Sequence, residues 1–206
     1  MIKAEYVSHM GSDLTVANSA RVSFNKESQP NPDGSLRAAD EKLIGYLATH
    51  GHTSPFTHPQ ITLRETVPIF VARQRFKHVV GFTYNEVSRR YVDAAPEFYF
   101  PKEWRSRPEG SVKQGSGGPI QHSIAAHDKY AAAVAKCEVV YEQLLEMGVA
   151  PEQARMVLPQ SMLTSYYVTG SLAAFARAYK QRIDAHAQVE IQDLAKQWHS
   201  IIGPLF

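Results

Sequence analysis

The amino-acid sequence predicts a single α+β domain with a small, mostly antiparallel sheet and several helices. The 206 residues suit one compact domain, and the 44% of residues that are hydrophobic can build a core. Short segments with strand-like alternation occur among longer segments with helical spacing. We see no repeat and no internal boundary, so we predict one domain over residues 1–206.

Three segments have the character of strands. Residues 2–7 and 60–67 alternate apolar and polar side chains, which is typical of a half-buried strand. Residues 165–168 (Ser-Tyr-Tyr-Val) are also strand-like. These segments are predicted to form the sheet.

Helices are predicted where a capping residue or a proline precedes apolar residues at helical spacing. Gly148 is expected to end the longest of them. The predicted helices run from Ser12 through Ala20, over residues 36–49, 69–78 and 124–147, from Pro151 with Arg155, from Ser171 through Lys180, and over about 185–202.

Two segments are predicted to be loops. Residues 26–34 contain two prolines and a glycine, which disfavour regular structure. Residues 103–122 are polar, with four glycines between Gly110 and Gly118, and we expect a long exposed loop there. A loop of that length is often functional or mobile.

The composition argues against several classes of partner. A net charge of +2 does not favour nucleic acid or a membrane surface. No apolar run is long enough to span a membrane, and residues 1–6 lack the plan of a signal peptide. A single cysteine, Cys137, excludes an internal disulfide. We therefore expect a cytoplasmic protein without a nucleic-acid or membrane partner.

Familiar catalytic and metal-binding arrangements are poorly supported. Cys137 lies within a predicted helix, with no histidine near it in sequence, so a small helix residue is favoured over a nucleophile. His52 and His58 flank a proline-containing turn instead of sharing a helix face, and no metal site is predicted. Residues 115–118 resemble a phosphate loop in composition alone.

Basic residues concentrate in two places, and two interpretations remain open for them. They are either solvated faces or sites for a small anion such as a nucleotide phosphate. Residues 85–91 place an acid, a hydroxyl and two guanidinium groups together, which could hold phosphate and sugar hydroxyls or form an exposed ion-paired turn. The first group is Arg73, Arg75, Lys77, Arg89 and Arg90 against the single acid Glu86, and the second is Arg177, Lys180 and Arg182.

A series of ordered motifs resembles the flavin-dependent thymidylate synthases. That family's signature is Arg-His-Arg, seven or eight residues, then Ser, and here Lys77-His78-Val79 is followed after eight residues by Ser88. The run Asn85-Glu86-Val87-Ser88-Arg89-Arg90-Tyr91 is intact. Further similar blocks, in the family's order, are residues 20–24, 51–58, 68–74, 154–159 and 182–192.

The resemblance implies a reaction and an assembly. It implies reductive methylation of dUMP to dTMP, with methylenetetrahydrofolate as carbon donor and FAD reduced by NADPH. It also implies a homotetramer whose active sites lie where subunits meet. By this resemblance Arg182 is catalytic, facing the uracil and favouring ionisation at N3.

The same resemblance assigns residues to each ligand. The deoxynucleotide side comprises Gln74, Lys77, Glu86, Val87, Ser88, Arg89, Arg90, Arg155 and Arg182. The flavin side comprises Ser23, His52, Ser54, Lys77, His78, Val79, Glu86, Ser171 and Arg177.

The sequence departs from the family pattern on the flavin side. The two signature arginines are Lys77 and Val79, and a family glutamate is Thr57. The family's Asn-x-Arg corresponds to residues 171–173, which lack the arginine, and Arg177 is the predicted replacement. Two alternatives therefore stay open: a related C5 modification, such as hydroxymethylation or UMP methylation, or a nucleotide-binding homologue without catalysis.

Overall fold

A four-stranded antiparallel sheet forms the centre of the protein. The computed structural model describes residues 1–92, 94–110 and 115–206. The strands are β1 (Lys3–Met10), β2 (Gln60–Pro68), β3 (Phe82–Glu86) and β4 (Leu163–Ser171), in the order β1-β2-β4-β3. All three neighbouring pairs are antiparallel. The predicted α+β domain with an antiparallel sheet is confirmed.

Seven α-helices lie within the described residues. Their lengths range from the four residues of α5 to the 24 residues of α4. They are α1 (Asp13–Arg21), α2 (Ala38–Thr49), α3 (Ile69–Arg75), α4 (Ser123–Glu146), α5 (Pro151–Ala154), α6 (Leu172–Arg182) and α7 (Val189–Ile202). None of the helices described is both long and apolar enough to cross a bilayer.

One face of the sheet carries the core. Alternate residues of β2 and β4 are buried, and they pack against Phe175 of α6 and Trp198 of α7. Helix α7 can cover this face because its apolar residues recur at helical spacing. Polar residues of the same strands, including Arg64 and Ser165, lie on the opposite face.

Most predicted elements are confirmed, although some boundaries differ. Ser12 precedes α1, the Ser171 hydroxyl accepts a hydrogen bond from the Ala174 amide, and Gly148 has a φ of +84° just after α4. Helix α3 ends at Arg75 instead of 78, and α7 begins at Val189 instead of about 185. The late start of α7 follows from a turn in which the Asp184 carboxylate accepts from the His186 amide.

Strand β3 is an element that the sequence analysis missed. Its five residues pair with β4, so the segment 85–91 is not simply an exposed turn. Two glycines make the pairing of β3 with β4 possible. Gly81 turns the chain at a φ of +77°, and Gly170 leaves room for the Phe82 ring. A Cβ at position 170 would lie 2.3 Å from that ring.

The predicted loops are also confirmed where they are described. Residues 26–34 contain neither helix nor strand, and the described part of 103–122 has one isolated bridge, between Arg105 and Pro119. The middle of that loop, residues 111–114, lies outside the described residues. Cys137 lies within α4 and is half-buried, as predicted for a helix residue.

The core contains a fully buried ion pair. Arg75 of α3 and Glu65 of β2 are both 0% exposed, and Arg75 Nε lies 3.1 Å from a carboxylate oxygen. The Tyr166 hydroxyl donates to the same carboxylate at 2.7 Å, and Arg75 Nη1 donates to the Tyr84 hydroxyl at 2.7 Å. The guanidinium carbon also lies 4.3 Å from the centre of the Phe82 ring. The pair thus links β2, α3, β3 and β4.

Neutralising Glu65 is expected to destabilise the fold strongly. Glu65→Gln leaves the Arg75 charge buried without its counterion, so we expect a loss of about 3–5 kcal/mol in the free energy of unfolding. Chemical denaturation measures it. Asp193→Asn is the matched control, since it breaks an exposed pair with Lys196 and should change little. Equal effects of the two substitutions would contradict the role assigned to the buried pair.

Candidate functional site

Strand β3 divides the predicted site residues into two groups. His78 and Val79 precede the strand, whereas Val87 and Ser88 follow it. The four steps between the five residues of β3, at about 3.3 Å each, put the two ends of the strand about 13 Å apart. Within one chain, the two parts of the signature therefore lie at opposite ends of β3.

The first cleft, here the β3–β4 cleft, gathers most residues predicted to bind the nucleotide. Its volume is about 670 Å³. Val87 is held there because its amide donates to the Ser165 carbonyl, and the Thr164 hydroxyl donates to Glu86 at 2.6 Å. Predicted residues that line this cleft are Glu86, Val87, Ser88, Arg89 and Arg155.

Guanidinium groups give the β3–β4 cleft its chemistry. Arg64, Arg89 and Arg155 all line it. Arg89 is held by the carbonyls of Ala94 and Ala95, which leaves its positive charge unneutralised by those contacts. Arg90 lies beside the cleft and pairs with Glu152 at 3.3 Å. Such a concentration of planar cations suits an anion such as a phosphate.

The second cleft, here the α6 cleft, has a volume of about 880 Å³ and is lined by two more predicted nucleotide residues, whereas Lys77 and Arg90 line neither cleft. Gln74 and Arg182 line it together with Arg177 and Lys180. Gln74 is oriented by a 2.6 Å hydrogen bond from its Nε2 to Gln188 Oε1. The α6 cleft and the β3–β4 cleft have no lining residue in common among the described residues.

Arg182 is held in a fixed orientation by the signature histidine. Its Nε donates to His78 Nε2 at 2.7 Å, and its Nη2 donates to the Gln74 carbonyl at 3.1 Å. Burial, reinforced by the charge of Arg182, lowers the pKa of His78 to about 4. His78 is therefore neutral near pH 7, and its Nε2 can accept from the guanidinium.

Residues 77–80, here the signature turn, carry less positive charge than the family pattern, but they lie next to a cation from another helix. Lys77 is exposed, and Val79 and Val80 are 66% and 69% exposed. Arg177 of α6 donates to the Val80 carbonyl. Ser171 is buried and its hydroxyl caps α6. Arg177 thus lies beside the signature residues, and its role as the replacement for the missing Asn-x-Arg arginine stays a prediction.

Residues predicted for the flavin are partly brought together. A groove of about 460 Å³ between α2 and α6, here the α2–α6 groove, is lined by His52 and Arg177. Its walls are largely apolar, with Leu47, Phe56 and Leu172. Arg177 and Lys180 also line the α6 cleft, so the two spaces adjoin. Ser23 and Ser54 lie on exposed 3-10 turns and line none of these clefts.

One member of the first basic group was assigned wrongly. Arg75 is not a surface cation, because it is fully buried against Glu65. Its apolar surroundings come from Phe82, Trp198 and Phe175, which are distant in sequence. It therefore acts in the core and cannot meet an anion in either cleft.

Sequence reasoning also missed three residues of the β3–β4 cleft. Arg64, Thr164 and Ser165 line it, and Arg64 Nε donates to the Ser165 hydroxyl at 3.1 Å. The alternation of residues 60–67 would have placed Arg64 on the face opposite Leu63. Its nearness to Ser88 follows only from the pairing of β2 with β4 and of β4 with β3.

The fold and the two clefts define an α+β protein whose clefts are lined by cationic side chains, a chemistry that suits small anionic ligands such as nucleotides. Comparisons with known proteins specify the class further. The model of the family described as "Thymidylate synthase complementing protein" matches residues 5–206. The chain belongs to this family. Its similar relatives include flavin-dependent thymidylate synthases.

Individual relatives agree with this assignment. The chain is 40% identical over 190 residues to the flavin-dependent thymidylate synthase of Thermosipho africanus, covering 92% of this chain and 80% of that protein. It is 38% identical over 191 residues to that of Thermotoga neapolitana, covering 93% and 81%. Among solved structures, the UMP/dUMP methylase PolB of Streptomyces cacaoi, bound with 5-Br dUMP, superposes with a TM-score of 0.86 at 28% identity, covering 100% of this chain and 91% of that one.

The pKa of His78 can be measured directly. We expect an NMR titration midpoint near pH 4 for His78 in the folded protein. Because this pKa lies below the unfolded value of 6.5, the unfolded chain takes up the proton first, and this group costs stability as the pH falls from about 6.5 to about 4. Arg182→Met should raise the midpoint, since it removes a repelling charge. A midpoint near 6 in the unsubstituted protein would contradict the neutral acceptor role.

Proposed function

We propose that the protein catalyses the reductive methylation of dUMP to dTMP, with FAD as its cofactor. The observation that carries the proposal is the pair of cationic clefts, which are lined by seven of the nine residues predicted for the nucleotide, in a chain that belongs to the family. Methylenetetrahydrofolate supplies the carbon and NADPH the reducing equivalents. Each part of the nucleotide has a suitable counterpart in the structure.

The β3–β4 cleft suits the phosphate. Arg89 and Arg155 present guanidinium groups, and Ser88 adds a hydroxyl. Arg–phosphate contacts are charge-assisted and often bidentate, so they give geometry as well as affinity. Glu86, held by the Thr164 hydroxyl, is placed to accept hydrogen bonds from a sugar hydroxyl.

The α6 cleft suits the base. Arg182 is anchored through Nε and Nη2, and within the described residues its Nη1 has no hydrogen-bond partner. A guanidinium anchored before the ligand arrives stabilises a developing anion without reorganising during the reaction. Arg182 thereby favours ionisation at N3 of the uracil, which makes C5 more nucleophilic. His78 acts through Arg182 as a positioning residue.

A complete site needs two copies of the chain. The phosphate residues and Arg182 lie in clefts separated by β3 and without a shared lining residue. If two copies associate so that the β3–β4 cleft of one faces the α6 cleft of the other, the phosphate residues and Arg182 come together in one site. A homotetramer with active sites at subunit contacts has this property, and we propose that assembly.

The α6 cleft and the adjoining α2–α6 groove fit a flavin dinucleotide. Arg177 and Lys180 can face an anionic diphosphate, and the apolar wall containing Leu47 and Phe56 can pack against a flat ring. Bound FAD supplies the hydride that the side chains cannot. Arg177 lies next to the signature turn and adds a guanidinium group to the cofactor side. Lys77 and Val79 provide less positive charge there than the two arginines of the family signature would.

Methylation of UMP is a second candidate. The likeness to PolB extends to its complex with 5-Br UMP, at a TM-score of 0.85 and 29% identity. UMP differs from dUMP by one ribose hydroxyl, so the same phosphate and base contacts would serve both. Incubation with each nucleotide separately, followed by mass analysis of the product, distinguishes the two activities.

Removal of the Arg182 guanidinium tests the proposed chemistry. We expect Arg182→Ala to lower kcat by about 100-fold or more, because the stabilisation of the N3 anion is lost. The measurement is dTMP formation from dUMP by mass spectrometry. Arg37→Ala, at an exposed residue before α2, serves as control. Normal rates in Arg182→Ala would refute the role of Arg182.

Flavin titration addresses whether the protein is an enzyme at all. Saturable FAD binding, strengthened by dUMP, is the expected result, followed by absorbance and fluorescence. A protein that binds dUMP but neither binds FAD nor forms dTMP would be a nucleotide-binding homologue without catalysis.

Hybrid assemblies test the shared active site. Arg182→Ala and Arg155→Ala should each be nearly inactive alone. In randomly mixed assemblies about a quarter of the shared sites receive both intact residues, since each is drawn from a different copy with a probability of about one half. We therefore expect activity to return when the two variants are refolded together. Sites built within one chain would leave the mixture inactive.

A further inference from the structure

Arg64 lines the β3–β4 cleft, although no family motif includes it. It stands between the similar blocks at residues 51–58 and 68–74 and belongs to neither. Its side chain is exposed on β2 and lines the cleft together with Ser88 and Arg155. The cleft therefore has a cation that the family resemblance does not assign to any ligand.

Ser165 of β4 holds the Arg64 side chain in place. Arg64 Nε donates to the Ser165 hydroxyl at 3.1 Å, and the same hydroxyl lies 3.1 Å from the Thr66 hydroxyl. The Ser165 carbonyl accepts from the Val87 amide at 2.9 Å. One residue of β4 thus fixes both the Arg64 guanidinium and the segment that carries Ser88. Their relative position is set before a ligand enters the cleft.

The outer edge of the Arg64 guanidinium is available to a ligand. Within the described residues, its Nη1 and Nη2 donate to no protein acceptor. Glu5 stands opposite Arg64 in the pairing of β1 with β2, but its carboxylate accepts from Lys3 at 2.7 Å. The two NH₂ groups of a guanidinium match two oxygens of a phosphate, so this edge suits such a ligand.

Arg64 also decides the formal charge of the cleft. The other charged side chains that line it are the cations Arg89 and Arg155 and the acids Glu86 and Glu97, whose charges cancel. With Arg64 the lining carries a net charge of +1. A phosphate monoester carries close to two negative charges at neutral pH. Arg64 therefore provides the positive excess that such an anion needs.

We propose that Arg64 is a further phosphate-binding residue of the β3–β4 cleft and that Ser165 is its positioning residue. The inference rests on the proposed function, because the phosphate is that of the pyrimidine nucleotide. Arg64 donates from Nη1 and Nη2 to two phosphate oxygens, beside the contacts expected from Ser88 and Arg155. Phosphate recognition then extends to β2, outside the residues that the family motifs indicate.

Removal of the Arg64 guanidinium tests the first part. We expect Arg64→Met to weaken dUMP binding to the whole chain by about ten- to a hundredfold in calorimetric titration, since two charge-assisted hydrogen bonds are lost. Arg64→Lys keeps the charge but not the planar fork, so its affinity should lie in between. Arg37→Met, at an exposed arginine before α2, is the matched control and should bind dUMP normally.

Inorganic phosphate shows which part of the nucleotide Arg64 contacts. It should compete with dUMP in the unsubstituted protein, because the cleft recognises the anion itself. Arg64→Met should weaken this competition by a factor similar to its effect on dUMP. Undiminished competition by phosphate in Arg64→Met would contradict the assigned contact.

A double-mutant cycle tests the positioning role of Ser165. Ser165→Ala removes the hydroxyl that holds Arg64 but keeps the carbonyl that holds Val87. Alone it should weaken dUMP binding by about three- to tenfold. In the Arg64→Met background it should have little further effect, because Ser165 acts through Arg64. Additive losses would mean that Ser165 does not act through Arg64.

The remaining outcomes separate this inference from the proposed function. Unchanged dUMP affinity in Arg64→Met overturns the inference even if dTMP forms. A changed oligomeric state in Arg64→Met, with unchanged dUMP affinity, also overturns it and assigns Arg64 to a contact between copies. Weakened dUMP binding in a protein that forms no dTMP refutes the proposed function alone. A chain that binds no dUMP overturns both.

Discussion

The buried ion pair between Arg75 and Glu65 is the interaction on which the rest of the structure depends. A charge without water must have its partner in place, so the pair forces β2 and α3 into one arrangement. The constraint extends to the site through Tyr84, whose hydroxyl accepts from Arg75 and donates to the His78 carbonyl at 2.7 Å. Burial raises the pKa of Tyr84 to about 12, which keeps that donor protonated. The orientation of Arg182 by His78 thus begins in the core.

Most helices and the two long inner strands could be predicted because their signals are local. Capping residues and apolar spacing act over one or two turns, as at Ser171 and Gly148. Strand β3 was not predicted because an alternation over five residues is too short to recognise. Its position also depends on Phe82 packing over Gly170, almost ninety residues away. The early end of α3 has a similar origin, since the turn after Arg75 is held by Tyr84.

The candidate site was predictable in its residue types but not in its arrangement. Ordered motifs identified Ser88, Arg155 and Arg182, yet no motif indicates that Ser88 and Arg182 face different clefts. A sequence also cannot distinguish a buried cation from an exposed one inside a basic run. Arg75 and Lys77 stand two residues apart, and the structure places the first in the core and the second in solvent. Their difference arises from aromatic residues contributed by other elements.

The loss of the signature arginines can be understood as a relocation of charge. In a turn that ends with exposed Val79 and Val80, Lys77 is the cation left to meet an anion, but the turn's carbonyls can still position a neighbour. Arg177 uses the Val80 carbonyl in this way, so the guanidinium stands beside the turn while its backbone belongs to α6. Since α6 also carries Lys180 and Arg182, one helix supplies three cations to the α6 cleft. A cation on a helix packed against the sheet is held more rigidly than one on a turn. This is the physical reason for the prediction that Arg177 compensates for the arginines missing from the turn.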